Sequence, residues 1–395
     1  MYSIAGYGKM IADRGRMDAY RAALLQVIRA NSVVLDIGCG TGIFSLLACQ
    51  MGARRVYAIE PDDAIEVARE IATANGYGER IVFIQDRSDR VSLPERADVI
   101  VSDLRGILPL FEQHIPTIID ARERLLAADA VLIPQSDTLW AALVQAPDLY
   151  SRHFGGLDQD SYGLKMDAAR KIAANSWSKA RVEPHQMVVE PQSWATLDYR
   201  TIRDANAKGE LSWTMTQART GSGLIVWFDS RLIDGVAMSN TPAAPELIYG
   251  NAFFPWPEPV ALKEHDRIEV ALTARLVGGD YLWRWNTTVI ESGPAAGIKA
   301  KFNQSTFFGA PLALATLHTR SENHVPQLDE DGQIDAGILT AIDSAASLGE
   351  IARAVMARFP GRFANWPAAL ARVADLARRY CRPPGSEKFL RQPSA

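Results

Sequence analysis

The 395-residue chain is 48% hydrophobic and 22% charged, an ordinary globular balance with length enough for two or three domains. Its net charge of −4 leaves no chain-wide basic footprint for nucleic acid or an anionic membrane. Its longest apolar runs are broken by charge well short of a membrane span. Cys39, Cys49 and Cys381 lack metal-ligand spacing and read as reduced thiols. The opening MYSIAGYGKMIADRGR is charged within its first ten residues, unlike a secretory leader. A cytoplasmic protein without a metal site is expected.

Residues 1 to about 30 read as helix, with Met10, Ile11, Tyr20, Leu24, Leu25 and Ile28 at roughly helical spacing. From 33 to about 145, the strands SVVLDIG, RRVYAIE, RIVFIQD, ADVIVSD and AVLIPQ alternate with helical segments at 43–52, 62–75 and 110–126. Near-continuous apolar strands in that rhythm predict a parallel sheet covered on both faces. Residues 157–180 look helical. Beyond them, stretches such as MVVEPQSWATLDYRTI, GLIVWFDSRLI and YLWRWNTTVI alternate or carry aromatics, with turn residues between, as in a sandwich or barrel. Trp283 and Trp285 then read as one aromatic face of a barrel strand. After HTRSENHVPQLDEDGQ, Ser347 and Glu350 form a capping-box pattern. Asn365 and Pro367 open a further helix, and residues 382–395 read as a tail.

The chemistry concentrates in LDIGCGTG. Gly38, Gly40 and Gly42 lie two apart after a buried strand, where glycine permits a sharp turn and close approach of a ligand. A dinucleotide turn runs G-x-G-x-x-G with pyrophosphate at the following helix. Here the spacing is G-x-G-x-G, and Asp36 precedes the first glycine by two residues. A carboxylate there repels pyrophosphate but suits a cationic amino-acid ligand, such as S-adenosylmethionine with its ammonium and sulfonium. Glu60, at the end of the next strand, is placed for two ribose hydroxyls. Asp89 or Asp86, after the third strand, would accept from an adenine amino group. A nicotinamide-dependent oxidoreductase is the reading that the glycine spacing disfavours.

These residues resemble the class I S-adenosylmethionine-dependent methyltransferases. YGKMIADRGRMDAYRAAL is similar to the helix that precedes the cofactor domain in protein arginine methyltransferases, with Met10, Asp13, Arg16 and Tyr20 on its pattern. The resemblance implies that Arg16 grips the cofactor's carboxylate. SDLRGILPLFEQ is similar to that family's double-glutamate loop, with Asp103 and Glu112 at its acidic positions. Those two would hold and orient a guanidinium acceptor, and Glu112 would help receive the departing proton. The resemblance further implies a Rossmann-like α/β domain, a β-barrel, and a homodimer through an inserted arm near 157–180.

Three departures stand out. Asp103 is one methylene shorter than glutamate. Arg105 adds a cation inside the loop, where it would neutralise an acid or instead bind an acidic acceptor. Leu247, Ile248 and Tyr249 stand where the family has Thr-His-Trp, so the histidine partner of Asp13 is missing. A plainer reading makes Asp103 a strand end with Arg105 as its surface partner.

The C-terminal segment, about 325–381, resembles the PqqD-like peptide-recognition domains. A helical appendage and a winged-helix unit, the latter suggested by Arg353, Arg358, Arg372, Arg378 and Arg379, are its alternatives.

The expected layout is therefore a methyltransferase domain at 1–145, a barrel with its arm at 146–320, a small helical unit at 325–381, and a tail at 382–395. The expected function is S-adenosylmethionine-dependent methyl transfer to a guanidino or other group of a peptide or small molecule. The alternative is a cofactor-binding scaffold or sensor with an altered acceptor loop.

Overall fold

The computed structural model describes residues 3–157, 162–293, 297–342, 344 and 346–381. The chain divides into two compact units that part between Pro311 and Leu312. The expected tail at 382–395, and residues 158–161 of the expected arm, lie outside the described residues.

The helix expected over residues 1–30 is two helices, α1 (Ile4–Ala12) and α2 (Arg14–Val27), broken at Asp13. Asp13 is extended and its carboxylate accepts from Arg16 N, so it caps α2 instead of continuing α1. There follow β1 (Val33–Ile37), α3 (Ile43–Gln50), β2 (Arg55–Ile59), α4 (Ala64–Ala74), β3 (Ile81–Ile84), β4 (Ala97–Ser102), α5 (His114–Arg124) and β5 (Leu126–Ile133). The five strands form one parallel sheet in the order β3-β2-β1-β4-β5. All five residues of β1 are buried, as an apolar strand covered on both faces requires. The strand order reverses between β1 and β4, which opens a crevice at their C-terminal ends, the place where such sheets bind ligands.

The β-rich region begins with β6 (Ser136–Val144), followed by α6 (Pro147–Phe154), α7 (Asp167–Ala173) and β7 (Ser178–Ala180). It continues through β8 (Gln192–Asp198), β9 (Ala207–Thr214), β10 (Arg219–Ile233), β11 (Val236–Ser239), β12 (Asn251–Leu262), β13 (Arg267–Val277), β14 (Asp280–Ile290) and β15 (Ile298–Ser305). Two antiparallel sheets result, β7-β12-β10-β6-β8 with β11 on β10, and β15-β14-β13-β9. Along β14 burial alternates, with Tyr281, Trp283 and Trp285 all turned inward, as the period-2 pattern predicts.

Among the described residues of 157–180 only Asp167–Ala173 is helical, and Ser178–Ala180 is a strand on the edge of β12. Tyr162 and Gly163 have positive φ (54° and 74°), a local conformation that a helix cannot contain. The parallel-sheet and barrel regions, divided at 145 in the sequence, belong to the same compact unit. Side chains cross between them: Arg122 of α5 donates to the carbonyls of Tyr199 and Ile202, and Arg105 reaches Asp137 of β6.

The second unit carries α8 (Leu314–Thr319), α9 (Glu330–Ile342), α10 (Leu348–Arg358) and α11 (Trp366–Tyr380), with no strand among its described residues. Ser347 and Glu350 close the capping box, and Asn365 caps α11. Ile334, Ile338, Ile351, Val355, Val373 and Leu376 meet in its core. The five arginines that suggested a winged helix are engaged locally. Arg372 pairs with Asp331 and Asp335, and Arg378 and Arg379 pair with Asp375. Arg353 and Arg358 lie over the rings of Trp366 and Phe359.

Candidate active site

The crevice above β1 and β4 is part of a cavity of about 1430 Å³, ample for a nucleoside cofactor together with part of an acceptor. Its walls include Arg16, Gly38, Glu60, Asp89, Asp103 and Glu112. Asp36, Gly40 and Gly42 are not on its walls. The backbone after β1 takes positive φ at Gly38, Gly40 and Gly42 (72°, 52° and 83°), which is the permissive conformation that these glycines were expected to supply. A Cβ on Gly40 would lie 2.3 Å from the Tyr7 ring. Helix α1 therefore closes directly over the glycine turn, and Gly40 forms the seat of Tyr7.

Glu60 lies at the end of β2. Its two carboxylate oxygens each accept one backbone N–H, from Gly40 and from Asp62, both at 3.0 Å. Each oxygen retains a free lone pair for a hydroxyl. Asp89 is held by Arg87 at 2.9 Å and 3.1 Å, and this bidentate pairing lowers its pKa. Asp86 lines the cavity too, and its carboxylate accepts from Arg87 N.

Asp36 is buried one layer beneath the cavity. One oxygen accepts from Ser45 Oγ at 2.6 Å, while Oδ1 is sealed from solvent without a partner. Burial raises its pKa to about 7, against the Ser45 hydrogen bonds that lower it. Direct contact with a ligand's ammonium is not the geometry seen. Asp36 instead supplies an under-compensated carboxyl below the site.

The largest surprise is the acid loop. Asp103 Oδ2 accepts from Arg16 Nε at 2.7 Å and from Tyr249 OH at 2.6 Å, and Asp103 Oδ1 accepts from Arg105 Nε at 3.0 Å. Burial alone would raise the Asp103 pKa, but the charges of Arg16 and Arg105 hold it well below the usual carboxylate range. Arg105 is fully buried, so it is not a surface partner. Its Nη1 donates to Asp137 and Ser230, and its Nη2 to Tyr20 and Tyr249. All five of its N–H groups are thereby used, and none is left for an acidic acceptor. Tyr199 OH completes the network on Asp137 at 2.6 Å.

The missing family histidine is replaced by backbone. Asp13 Oδ2 accepts from Ile248 N at 2.6 Å, while the neighbouring Tyr249 reaches Asp103. Sequence reasoning missed Tyr249, Asp137 and Ser230, because they come from strands and loops more than 30 residues from Arg105. Arg16 lines the cavity, and its Nη2 has no hydrogen-bond partner among the described residues.

Glu112 has no hydrogen-bond partner among the described residues and is exposed at the cavity wall. Its φ of 41° is unusual for a side-chain-bearing residue, and such strain concentrates at functional sites. The tight return of the loop is allowed by Gly106, where a Cβ would lie 2.7 Å from the Phe111 ring. His114, two residues on, is buried with both ring nitrogens unpartnered, and burial together with Arg105 lowers its pKa to about 3. Trp177, Trp283 and Phe307 add aromatic walls from the barrel side. No group of residues suited to a metal ion occurs among the described residues, and no described helix is long and apolar enough to cross a membrane.

Comparison with known proteins agrees with this architecture. The family described as ribosomal protein L11 methyltransferase (PrmA) matches residues 21–139. A probable protein arginine N-methyltransferase 6 from Arabidopsis thaliana is 33% identical over 201 residues, 49% of this chain and 46% of that protein. Protein arginine N-methyltransferase 1 from Schizosaccharomyces pombe is 30% identical over 231 residues, 56% of this chain and 66% of that one. The fold extends further than the sequence identity. The open structure of Arabidopsis thaliana protein arginine methyltransferase 10 superimposes with a TM-score of 0.68 at 22% identity, covering 77% of this chain and 97% of that one.

The chain has the class I methyltransferase fold, with protein arginine methyltransferases among its relatives.

The Trypanosoma brucei PRMT1 enzyme–prozyme heterotetramer, solved with AdoHcy, gives a TM-score of 0.69 at 23% identity and covers 76% of this chain and 96% of that one. The chain spans about half to two thirds of the length of the first curated relatives it matches.

Proposed function

We propose that the protein is an S-adenosylmethionine-dependent N-methyltransferase whose acceptor is a guanidino group of a peptide or protein. The observation that carries this reading is the continuity of one cavity. Its walls run from the glycine turn and Glu60 to Glu112 and on to Trp177 and Trp283 of the barrel, so donor and acceptor would meet inside it. The residues fit the donor: Glu60 keeps a free lone pair on each oxygen, Arg16 keeps an unpartnered Nη2, and Asp36 contributes negative charge beneath.

When bound, S-adenosylmethionine supplies an electrophilic methyl on a sulfonium that is already a good leaving group. The chain's part is then positioning and electrostatics. Glu60 would hold the ribose, Arg16 the carboxylate, and Tyr7 would cover the glycine turn and exclude water. Glu112 would orient the acceptor nitrogen and take its proton. The relatives named as protein arginine N-methyltransferases support arginine as the acceptor, and the buried Cys39 and Cys49 suit a reducing cytoplasm.

Calorimetry with S-adenosylmethionine and S-adenosylhomocysteine, and transfer of a labelled methyl to arginine-containing peptides, test the proposal. Binding of both and labelling of arginine are expected. Binding without transfer to any peptide or small acceptor would favour a scaffold, and failure to bind either compound would end both readings.

We further propose a homodimer formed through the arm. Tyr162, Leu164 and Ile172 are exposed apolar residues there. Their joint replacement by serine is expected to halve the mass found by light scattering, and an unchanged mass would exclude this arm as the interface.

A further inference from the structure

Two carboxylates in the acid loop were expected to share the acceptor. The geometry points to a different division: Arg105 fills the acceptor side of Asp103 as a built-in guanidinium. Asp103 then serves the donor side by holding Arg16, and Glu112 alone receives the acceptor. This inference rests on the proposed methyltransferase reading.

Charge and hydrogen bonding both support it. Asp103 accepts three hydrogen bonds, from Arg16, Arg105 and Tyr249. Two carboxylates, Asp103 and Asp137, face two guanidiniums, Arg16 and Arg105, so the cluster is neutral and gives a cationic acceptor no net attraction. Arg105 is held from five directions and cannot swing aside without leaving Asp137 buried and unpaired. Across the same cavity Glu112 is unpartnered among the described residues and carries the strained backbone.

The donor side shows the complementary pattern. Asp103 and Tyr249 fix Arg16 through Nε, and the carbonyl of Met10 takes Nη1. That leaves Nη2 as the unused fork of a guanidinium already oriented at both other nitrogens. A pre-oriented donor of this kind suits a ligand carboxylate. Asp103 is thus a positioning residue for Arg16, not a ligand of the acceptor.

The test uses two ligands that differ in the group Arg16 would hold. S-adenosylhomocysteine carries the amino-acid carboxylate, and 5′-methylthioadenosine lacks it. In calorimetry on the full chain, Asp103→Asn is expected to raise the Kd for S-adenosylhomocysteine by about tenfold. The Kd for 5′-methylthioadenosine should stay within about twofold. Glu112→Gln should leave both constants unchanged while methyl transfer to an arginine-containing peptide falls by about a hundredfold or more.

Equal weakening of both ligands by Asp103→Asn would show general damage and overturn the assignment. So would an unchanged S-adenosylhomocysteine Kd, or a raised peptide KM at intact cofactor affinity. If Asp103→Asn fails to fold, Tyr249→Phe removes one bond from the same carboxylate, and a smaller loss with the same ligand selectivity is expected. The absence of that selectivity would overturn the proposal equally. Wild-type protein that binds neither ligand would instead remove the methyltransferase reading itself, so the two failures are distinguishable.

Discussion

Replacing Arg105 with methionine is expected to destabilise the protein by about 3–5 kcal/mol, the usual scale for removing one partner from a buried ion pair. Arg105 and Asp137 are both wholly buried at 3.0 Å. Without the guanidinium, the Asp137 and Asp103 carboxylates would lose a charge-assisted donor each, and Tyr20, Tyr249 and Ser230 would lose a shared partner. The midpoint of chemical denaturation checks the size of the loss. Adding Asp137→Leu to Arg105→Met should recover part of it, because the unpaired charge goes with the carboxylate. A double variant as unstable as the single one would assign the loss to packing. This expectation is separate from the role proposed for Arg105 in sparing the acceptor, since it needs no ligand.

Asp36→Asn is expected to move stability and cofactor binding in opposite directions. The Asp36 carboxyl has a pKa near 7 in the folded chain, against an ordinary value of 3.8. Between those values the folded protein holds a proton that the unfolded chain has released. Stability from this group is therefore greatest below pH 4 and declines as pH rises through about 7. The full penalty at alkaline pH is on the order of 4 kcal/mol. Asparagine removes it but leaves an amide without an evident partner for its N–H groups, at a cost of about 1–3 kcal/mol. A net gain of about 1–3 kcal/mol at pH 8 is expected, turning into a net loss of about 1–3 kcal/mol near pH 4, where only the cost of the amide remains, as read from thermal unfolding without cofactor. The same variant should bind cationic S-adenosylmethionine about tenfold more weakly at pH 8, since it loses the negative charge beneath the site. Wild-type affinity should fall as pH drops below 7, while that of the variant stays flat. A variant with parallel losses of stability and affinity would show that Asp36 acts through packing alone.

Different parts of the molecule were readable to different depths. The parallel sheet was legible because β1, β2 and β4 are short apolar runs, and burial on both faces leaves no other place for them. The capping box at Ser347 and the cap at Asn365 were legible because those bonds close within three residues. The helix break at Asp13 was not foreseen. Apolar spacing continues across it, and only the Asp13 side chain, capping Arg16 N and reaching Ile248, decides that the chain turns. The helical reading of the arm's C-terminal end failed for a similar reason, since Ser178–Ala180 becomes strand by pairing with β12, a partner more than 70 residues away.

Within the site, local pattern determined the turn and the ribose acid. Gly38, Gly40, Gly42 and Glu60 act through backbone conformation and strand ends, which follow from near neighbours in the chain. The sequence alone also placed Asp103 and Glu112 nine residues apart on one loop and noticed Arg105 between them. It had no means of telling their roles apart, because a carboxylate's function depends on what reaches it. Tertiary structure brings Arg16, Tyr249, Asp137 and Ser230 from four separate segments onto Asp103 and Arg105, and leaves Glu112 without a partner among the described residues. Hydrogen bonds and charge over a few ångströms make that decision, and those distances exist only once the barrel has closed on the sheet.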